Sequence, residues 1–320
     1  MDHFEFVGSK NVRCSRNEAA MIRDCLIRSI RLLPLLLWAT PAPAQFTLFS
    51  QNTLHLGWGK NPYYTNKNTY LNTCVANSAQ ALNCNTWDVA ILQEVMNGNQ
   101  LNSGNPVLYP QPPGPGQYQV FLTGYQGKST YREAYAFLVR QPTNAGDCCT
   151  VITRNDNNQS LSFAPGAIFS RPPAGIVVAE HGRETWIIDY HAVFGNVNTR
   201  RAEVSAVGPA IVAFQTTNMG ANPGHLVPRF IVGGDWNFPN TDQAFNNIAQ
   251  AVGAQLTISP TGLTSLNPKG ALSSSYDHFV WDANRVTLAN GVVVQPPGNR
   301  TLPQFRTTFS DHLGISISVQ

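Results

Sequence analysis

Several runs in this chain are too continuously apolar to lie on a sheet with one wet face. Trp186-Ile-Ile-Asp-Tyr and Arg229-Phe-Ile-Val-Gly-Gly have no polar/apolar alternation over most of their length. Strands of this kind are covered on both faces, as in sheets flanked by other layers. Segments rich in Val, Ile, Phe and Tyr predict strands at Phe46–Ser50, Asp88–Val95, Tyr135–Arg140, Gly175–Glu180, Thr185–His191, Arg229–Asp235, His278–Asp282 and His312–Val319. Helices are expected at Thr69–Leu82, Arg200–Thr217 and Thr241–Ala251. The second should bend at Gly208-Pro209, and the third should open on a Thr or Asn cap. Pro106–Gln117 and Thr143–Pro165 read as surface loops. With no internal repeat and no long linker, this is one α/β domain.

The first 44 residues stand apart. From Met21 onward, Arg23, Arg28 and Arg31 precede the apolar run Leu32–Ala39, and Ala42-Pro-Ala44 follows. A basic region, a short apolar stretch and a small-x-small site read as a secretory signal spanning Met21–Ala44, with residues 1–20 as an upstream extension. The apolar run is far below the roughly 20 residues needed to span a bilayer. The expectation is a secreted or periplasmic protein, residues 45–320, with no stable membrane insertion once the signal is removed. Of 21 Lys/Arg and 18 Asp/Glu, six and four fall before residue 45, which leaves 15 against 14. Without a strong positive field, polyanion binding would rest on local groups and a bound cation.

Four cysteines remain after the signal, Cys74, Cys84, Cys148 and Cys149. An even number in an exported chain points to disulfide bonding. Either Cys148 and Cys149 bond to each other, or they bridge to Cys74 and Cys84. No Cys-x-x-Cys spacing supports a zinc site.

Polar groups collect where the apolar runs end: Asn52, Glu94, Glu133, Asp235, Asn237, Asp277 and Asp311, with His191 and His312 among apolar neighbours. A buried strand does not end in unpartnered carboxylates, because a lone charge in an apolar setting is costly. Strand ends along one edge of a sheet converge on a shared crevice. Oxygen donors of this type suit a hard cation such as Mg²⁺, with Mn²⁺ or Ca²⁺ as substitutes. His55, His181, His225 and His278 are read as structural or surface residues.

The order of these motifs is that of a known family. Phe49-Ser-Gln-Asn52, Ile91-Leu-Gln-Glu94, Tyr131-Arg-Glu133-Ala-Tyr135, Asp189-Tyr-His191, Gly234-Asp235-Trp-Asn237, Tyr276-Asp277 and Ser310-Asp311-His312 resemble the endonuclease/exonuclease/phosphatase superfamily. The Tyr-x-Glu-x-Tyr and Tyr-Asp elements resemble its deoxyribonuclease I branch. Ser170-Arg171-Pro-Pro-Ala-Gly is similar to the cytolethal distending toxin B subunit. The resemblance implies a four-layered α/β sandwich, two facing sheets with outer helices. It also implies Glu94, Asn52 and Asp311 around a metal, and His191 and His312 as acid/base groups oriented by Glu133 and Asp277. Asp235 and Asn237 would position the scissile phosphate and water, Arg171 would contact phosphate, and Tyr131 would pack against sugar or base.

Two positions depart from the family pattern. Trp236 stands where Phe is usual, and Met96 replaces an arginine that enters the DNA minor groove. The activity so implied is a metal-dependent endonuclease cutting DNA with little sequence preference, with cleavage of RNA left open. The alternatives are a phosphoesterase acting on sphingomyelin or phosphoinositides, and a toxin-type delivery subunit that retains nuclease activity.

Overall fold

A computed structural model describes residues 46–57, 87–97, 108–109, 117–127, 132–144, 148–151, 161–162, 168–180, 183–221, 229–288, 291–296 and 300–320. The expected signal segment, the helix at Thr69–Leu82, Tyr131, Cys74, Cys84, His181 and His225 lie outside the described residues.

Among the described residues, two mixed sheets of seven strands each carry the fold. The first runs in the order β15 (Val292–Val293), β16 (Ile315–Val319), β1 (Phe46–Leu56), β2 (Val89–Val95), β5 (Ala134–Arg140), β4 (Tyr118–Leu122) and β3 (Leu108–Tyr109). The path of the second is β11 (Leu256–Ser259), β14 (Asp277–Asp282), β10 (Arg229–Asp235), β9 (Arg183–His191), β8 (Ala174–Glu180) and β6 (Thr150–Val151), with β7 (Leu161–Ser162) also paired to β8. A small ribbon of β12 (Ser265–Leu266) and β13 (Leu272–Ser274) stands apart.

The two-residue period of a strand explains how both faces are filled. Leu48, Val89, Ile91, Phe137 and Val139 face Ile176, Ile187, Ile231 and Phe279 across the central layer. Their alternates Phe49, Ala90, Leu92, Ala136 and Leu138 pack on the other side of the first sheet with Phe305 and Phe309. Trp186, Ile188, Phe230 and Val232 meet Val204, Val207, Ile211, Phe245 and Ile248 outside the second. The result is a four-layered α/β sandwich, and the continuous apolar runs are strands covered on both faces.

Among the described residues the helices are α1 (Val197–Ser205), α2 (Val207–Ala221), α3 (Ala244–Val252) and α4 (Leu302–Thr308). The expected helix Arg200–Thr217 is two helices, and the break falls at Ala206, before Gly208-Pro209. Pro209 sits in the first turn of α2, where its missing N–H costs nothing. Asn196 starts α1 three residues earlier than expected by accepting Asn198 N at 2.9 Å and Thr199 N at 3.3 Å. A β-carbon on Gly208 would come within 2.9 Å of Ile248 Cα, so this glycine lets α2 cross close to α3. Neither Thr nor Asn caps α3; Asp242 Oδ1 accepts Ala244 N instead, at 2.9 Å. Thr301 and Gln304 form a capping box for α4, a helix not expected from the apolar pattern. Among the described residues, no helix is long and apolar enough to cross a membrane.

Strand direction places the polar ends together. β1 is parallel to β2, and β9 is parallel to β10. The antiparallel strand β14 begins at Asp277 opposite Asp235, which is also in register with His191. His312 does not belong to a strand as expected, because β16 starts only at Ile315; it precedes that strand on a loop that bridges to Ser265.

Candidate active site

His191, Asp235 and Asp277 form one row across three neighbouring strands of the second sheet. Asn52 and Glu94 come from β1 and β2 of the first, Glu133 immediately precedes β5, and His312 lies just before β16. Each carboxylate–imidazole pair therefore straddles the two sheets. Glu133 Oε1 lies 2.6 Å from His191 Nδ1, and Asp277 Oδ2 lies 2.8 Å from His312 Nδ1. In one pair the first sheet supplies the acid, and in the other it supplies the histidine.

Both imidazoles turn Nε2 toward Asp235 Oδ2, His191 at 3.6 Å and His312 at 3.5 Å. Asn52 Nδ2 donates to the same oxygen at 3.1 Å and to Glu94 Oε1 at 3.1 Å. The other Asp235 oxygen accepts Asn237 N at 2.9 Å. Asp235 is thus the hub of the buried cluster.

The environment sets the proton affinities. Burial and Arg171 push the His191 imidazolium toward deprotonation, but Glu133 and Asp235 outweigh them and its pKa is raised. Burial likewise opposes the charge on His312, and Asp235 with Asp277 reverses it, leaving the pKa well above the ordinary histidine value. Burial pushes the Glu133 carboxyl up, but His191 and Arg171 hold it below its usual value. With Nδ1 engaged by a carboxylate, each histidine keeps Nε2 free to take or give a proton.

Arg171 braces the first pair. Its Nη1 donates to Glu133 Oε2 at 3.3 Å, Nε to the His191 carbonyl at 3.2 Å and Nη2 to the Ala192 carbonyl at 2.9 Å. Three of the five guanidinium N–H groups are engaged in this way, which leaves two for an anion. Asn237 Nδ2 donates to the Ala192 carbonyl at 2.9 Å, and Arg200 Nη1 donates to the Asn237 carbonyl at 2.6 Å.

Three backbone positions at the site are left-handed without being glycine, Glu94 at φ 57°, Asn237 at φ 52° and His55 at φ 64°. Such residues cost of order 1–3 kcal/mol each and persist where the surroundings hold them. Gly234, at φ 138°, is obligatory: a β-carbon there would lie 1.9 Å from the Tyr190 carbonyl oxygen.

Asp311, expected at the metal, stands outside both acid–histidine clusters. Its side chain is 29% exposed, and Arg306 Nη2 lies 3.8 Å from its Oδ2. Asn52 turns its nitrogen toward Glu94, while its oxygen accepts Leu54 N at 2.9 Å. His55, read from sequence as a bystander, comes to the site: its Nε2 lies 3.2 Å from Glu94 Oε2, and its backbone N–H donates to the same oxygen at 3.2 Å. A register shift between Asn52 and Leu56, with Leu54 and His55 at positive φ, delivers it there. His278 is structural as expected, its Nδ1 2.8 Å from Pro260 O and its Nε2 3.0 Å from Ser275 O. Asp189 is buried beneath the site, where burial drives its carboxyl pKa well up against the hydrogen bond from Gln93. The Cys148 and Cys149 sulfurs lie against each other in the buried layer between the sheets.

The donor set fits a hard divalent cation. Glu94, Glu133, Asp235 and Asp277 face one guanidinium and three imidazoles, those of His55, His191 and His312, and the groups Glu94/Glu133/His191 and Asp235/Asp277/His312 each bring three possible ligand atoms within 4.8 Å of one another. Glu94, bordering solvent, is the carboxylate placed to hold such an ion, with Asn52 beside it. When bound, the cation would supply positive charge to a phosphoryl group.

A model of the Endonuclease/Exonuclease/phosphatase family matches residues 49–312. No curated protein matches the chain by sequence. Among solved structures, the human Nocturnin catalytic domain with a bound sulfate anion is similar at TM-score 0.56 and 15% identity, covering 87% of this chain and 93% of that one. A mannosyl-6-phosphatase from Bacteroides thetaiotaomicron gives 0.57 and 14%, covering 86% and 99%. Truncated TDP2 from Caenorhabditis elegans gives 0.52 and 14%, covering 86% and 97%. At such identities these likenesses show a shared fold.

Proposed function

Because this chain belongs to the Endonuclease/Exonuclease/phosphatase family, whose members hydrolyse phosphoester bonds, we propose that it is an exported, divalent-metal-dependent phosphodiesterase that cuts nucleic acid. The observation that carries this reading is the pair of acid–histidine dyads aimed at one carboxylate. Phosphodiester hydrolysis needs a water that loses a proton, an alkoxide that gains one, and neutralisation of charge on the phosphoryl oxygens. Two imidazoles with fixed Nδ1 partners serve the two proton transfers. Asn237 Nδ2 and the Asp235 carboxylate orient phosphate and water, and the two remaining N–H groups of Arg171 face the developing negative charge.

A ring beside the site favours nucleic acid over a small phosphate ester. Phe194, three residues after His191, is 74% exposed. The Arg200 guanidinium lies 5.8 Å from its centroid and 4.7 Å from that of Phe238. An open aromatic face backed by a cation, on the chain that also holds the Asn237 carbonyl, is a platform on which a base can stack. Since Met96 takes the place of a groove-entering arginine, single-stranded DNA and RNA are expected to be cut at rates comparable with duplex.

The test is one set of initial rates with Mg²⁺ on duplex DNA, single-stranded DNA, RNA, sphingomyelin and a phosphoinositide. Cleavage of nucleic acid that chelator abolishes supports the proposal. A lipid headgroup released while every nucleic acid stays intact overturns it in favour of a lipid phosphoesterase. Nuclease activity that appears only with a co-exported partner would identify a toxin-type subunit.

A further inference from the structure

Glu203 lies in the run Arg200-Arg-Ala-Glu203, which reads as the solvated face of a helix. In α1 it is instead buried, with a relative exposure of 1%. One carboxylate oxygen accepts the Ser170 backbone N–H, and the other accepts Val193 N at 2.6 Å and the Tyr190 hydroxyl at 3.4 Å. These partners lie on two separate segments that border the site. Ser170 immediately precedes Arg171, and Val193 follows Ala192, whose carbonyl receives both Arg171 Nη2 and Asn237 Nδ2.

We propose that Glu203 is a positioning residue for the hydrolysis, a single buried carboxylate that clamps the Arg171 segment to the segment after His191. The inference rests on the phosphodiesterase reading above. A carboxylate accepts only, and its two oxygens match two backbone N–H groups that no strand ladder satisfies. With both segments tied to one rigid helix, Arg171 keeps Glu133 on His191, and the Ala192 carbonyl keeps the Asn237 amide in place. Without the clamp, the bond between the two segments would rest on the Arg171 guanidinium itself, through its contacts to the His191 and Ala192 carbonyls.

Glu203→Gln keeps the size of the side chain but offers one oxygen and an NH₂, so one of the two segments loses its acceptor. On a fluorogenic oligonucleotide with Mg²⁺, kcat/KM should fall on the order of 10- to 100-fold, the scale of a small misplacement of catalytic groups. In an Arg171→Ala background the same substitution should cost under about 3-fold, because the group it positions is already gone. Inorganic phosphate with Mg²⁺ should raise the melting temperature of the natural chain, and Glu203→Gln should lose that shift while melting normally without phosphate. If Glu203→Gln does not fold, Glu203→Asp, which keeps the charge but is too short to reach both segments, is measured the same way. Full additivity with Arg171→Ala, or an unchanged phosphate shift in the variant, overturns the clamp. A natural chain inactive on every phosphodiester refutes the function reading, and the phosphate shift then decides the clamp by itself: no shift, or equal shifts, overturns it.

Discussion

Replacing Asp277 by Asn tests the second acid–histidine pair at its most buried point. Both side chains are nearly sealed from solvent, and the Nδ1–Oδ2 distance is 2.8 Å. At that separation and an effective dielectric constant of about 20, the attraction between imidazolium and carboxylate is on the order of 6 kcal/mol before desolvation is charged against it. Asp235 remains 3.5 Å from the other ring nitrogen, so His312 keeps one anionic neighbour and the chain should fold. What Asn cannot do is hold the Nδ1–H tautomer while favouring the charged ring, and kcat should drop on the order of 10²–10⁴-fold. Linkage gives a second readout in chelator. The His312 pKa is raised well above its ordinary 6.5, so its contribution to stability is complete below about pH 6.5 and is lost as pH rises through the folded-state value. The deficit of Asp277→Asn should therefore be greatest near or below pH 6.5 and shrink as the solution becomes alkaline. Urea denaturation across pH and steady-state rates measure both. A variant within 3-fold of the natural rate, estimated against the usual general acid/base range, or an effect additive with His312→Ala, would refute the assigned coupling.

Four further outcomes are expected. Chelator should abolish activity, Mg²⁺ or Mn²⁺ should restore it, and Glu94→Ala should shift the metal titration to higher concentration while lowering turnover; full activity in excess chelator contradicts the assignment. Gly234→Ala drives a β-carbon into the Tyr190 carbonyl between β10 and β9 and should lose at least about 3 kcal/mol, read as a lowered urea midpoint; an unchanged midpoint would show that the strands yield. Phe194→Ala should raise KM for single-stranded DNA by roughly 5- to 150-fold, matching the loss of about 1–3 kcal/mol of base stacking, with little change in kcat. N-terminal sequencing of exported protein should begin at Gln45, and a chain starting at Met1 or Met21 would remove the signal reading.

What the sequence made legible was the chemistry at strand ends. Arg229–Asp235 is a strand with the bounds its apolar run predicts, and Asp235 becomes the hub because parallel β9 and antiparallel β14 set His191 and Asp277 beside it. Ser310-Asp311-His312 was legible as a polar motif but not as a strand start. The strand starts three residues after His312, so these residues turn through a loop on which only His312 meets Asp277 while Asp311 looks toward Arg306. His55 escaped notice because its approach to Glu94 depends on a local register shift with two left-handed residues, a feature of pairing that composition does not carry. Glu203 escaped for a different reason: whether a charge on a short helix is solvated depends on which face meets the sheet, and the run around it carries only a weak apolar stripe.

The site lies at the seam between the sheets, on strand ends and the short segments that adjoin them. Each dyad takes its acid from one sheet and its histidine from the other, so both Nε2 positions depend on how closely the sheets approach. Gly233 sets that approach: a β-carbon there would fall 2.7 Å from Ile91 Cδ1 and 2.8 Å from the Phe279 ring. Asn52 spans the seam by donating to Glu94 of the first sheet and Asp235 of the second. Packing in the central apolar layer and alignment of the proton-transfer groups are therefore a single mechanical property. Enlarging Gly233 should spread the sheets and detune both dyads together, whereas a substitution in the outer layer around Phe245 or Ile248 should cost stability and spare the Nε2 alignment.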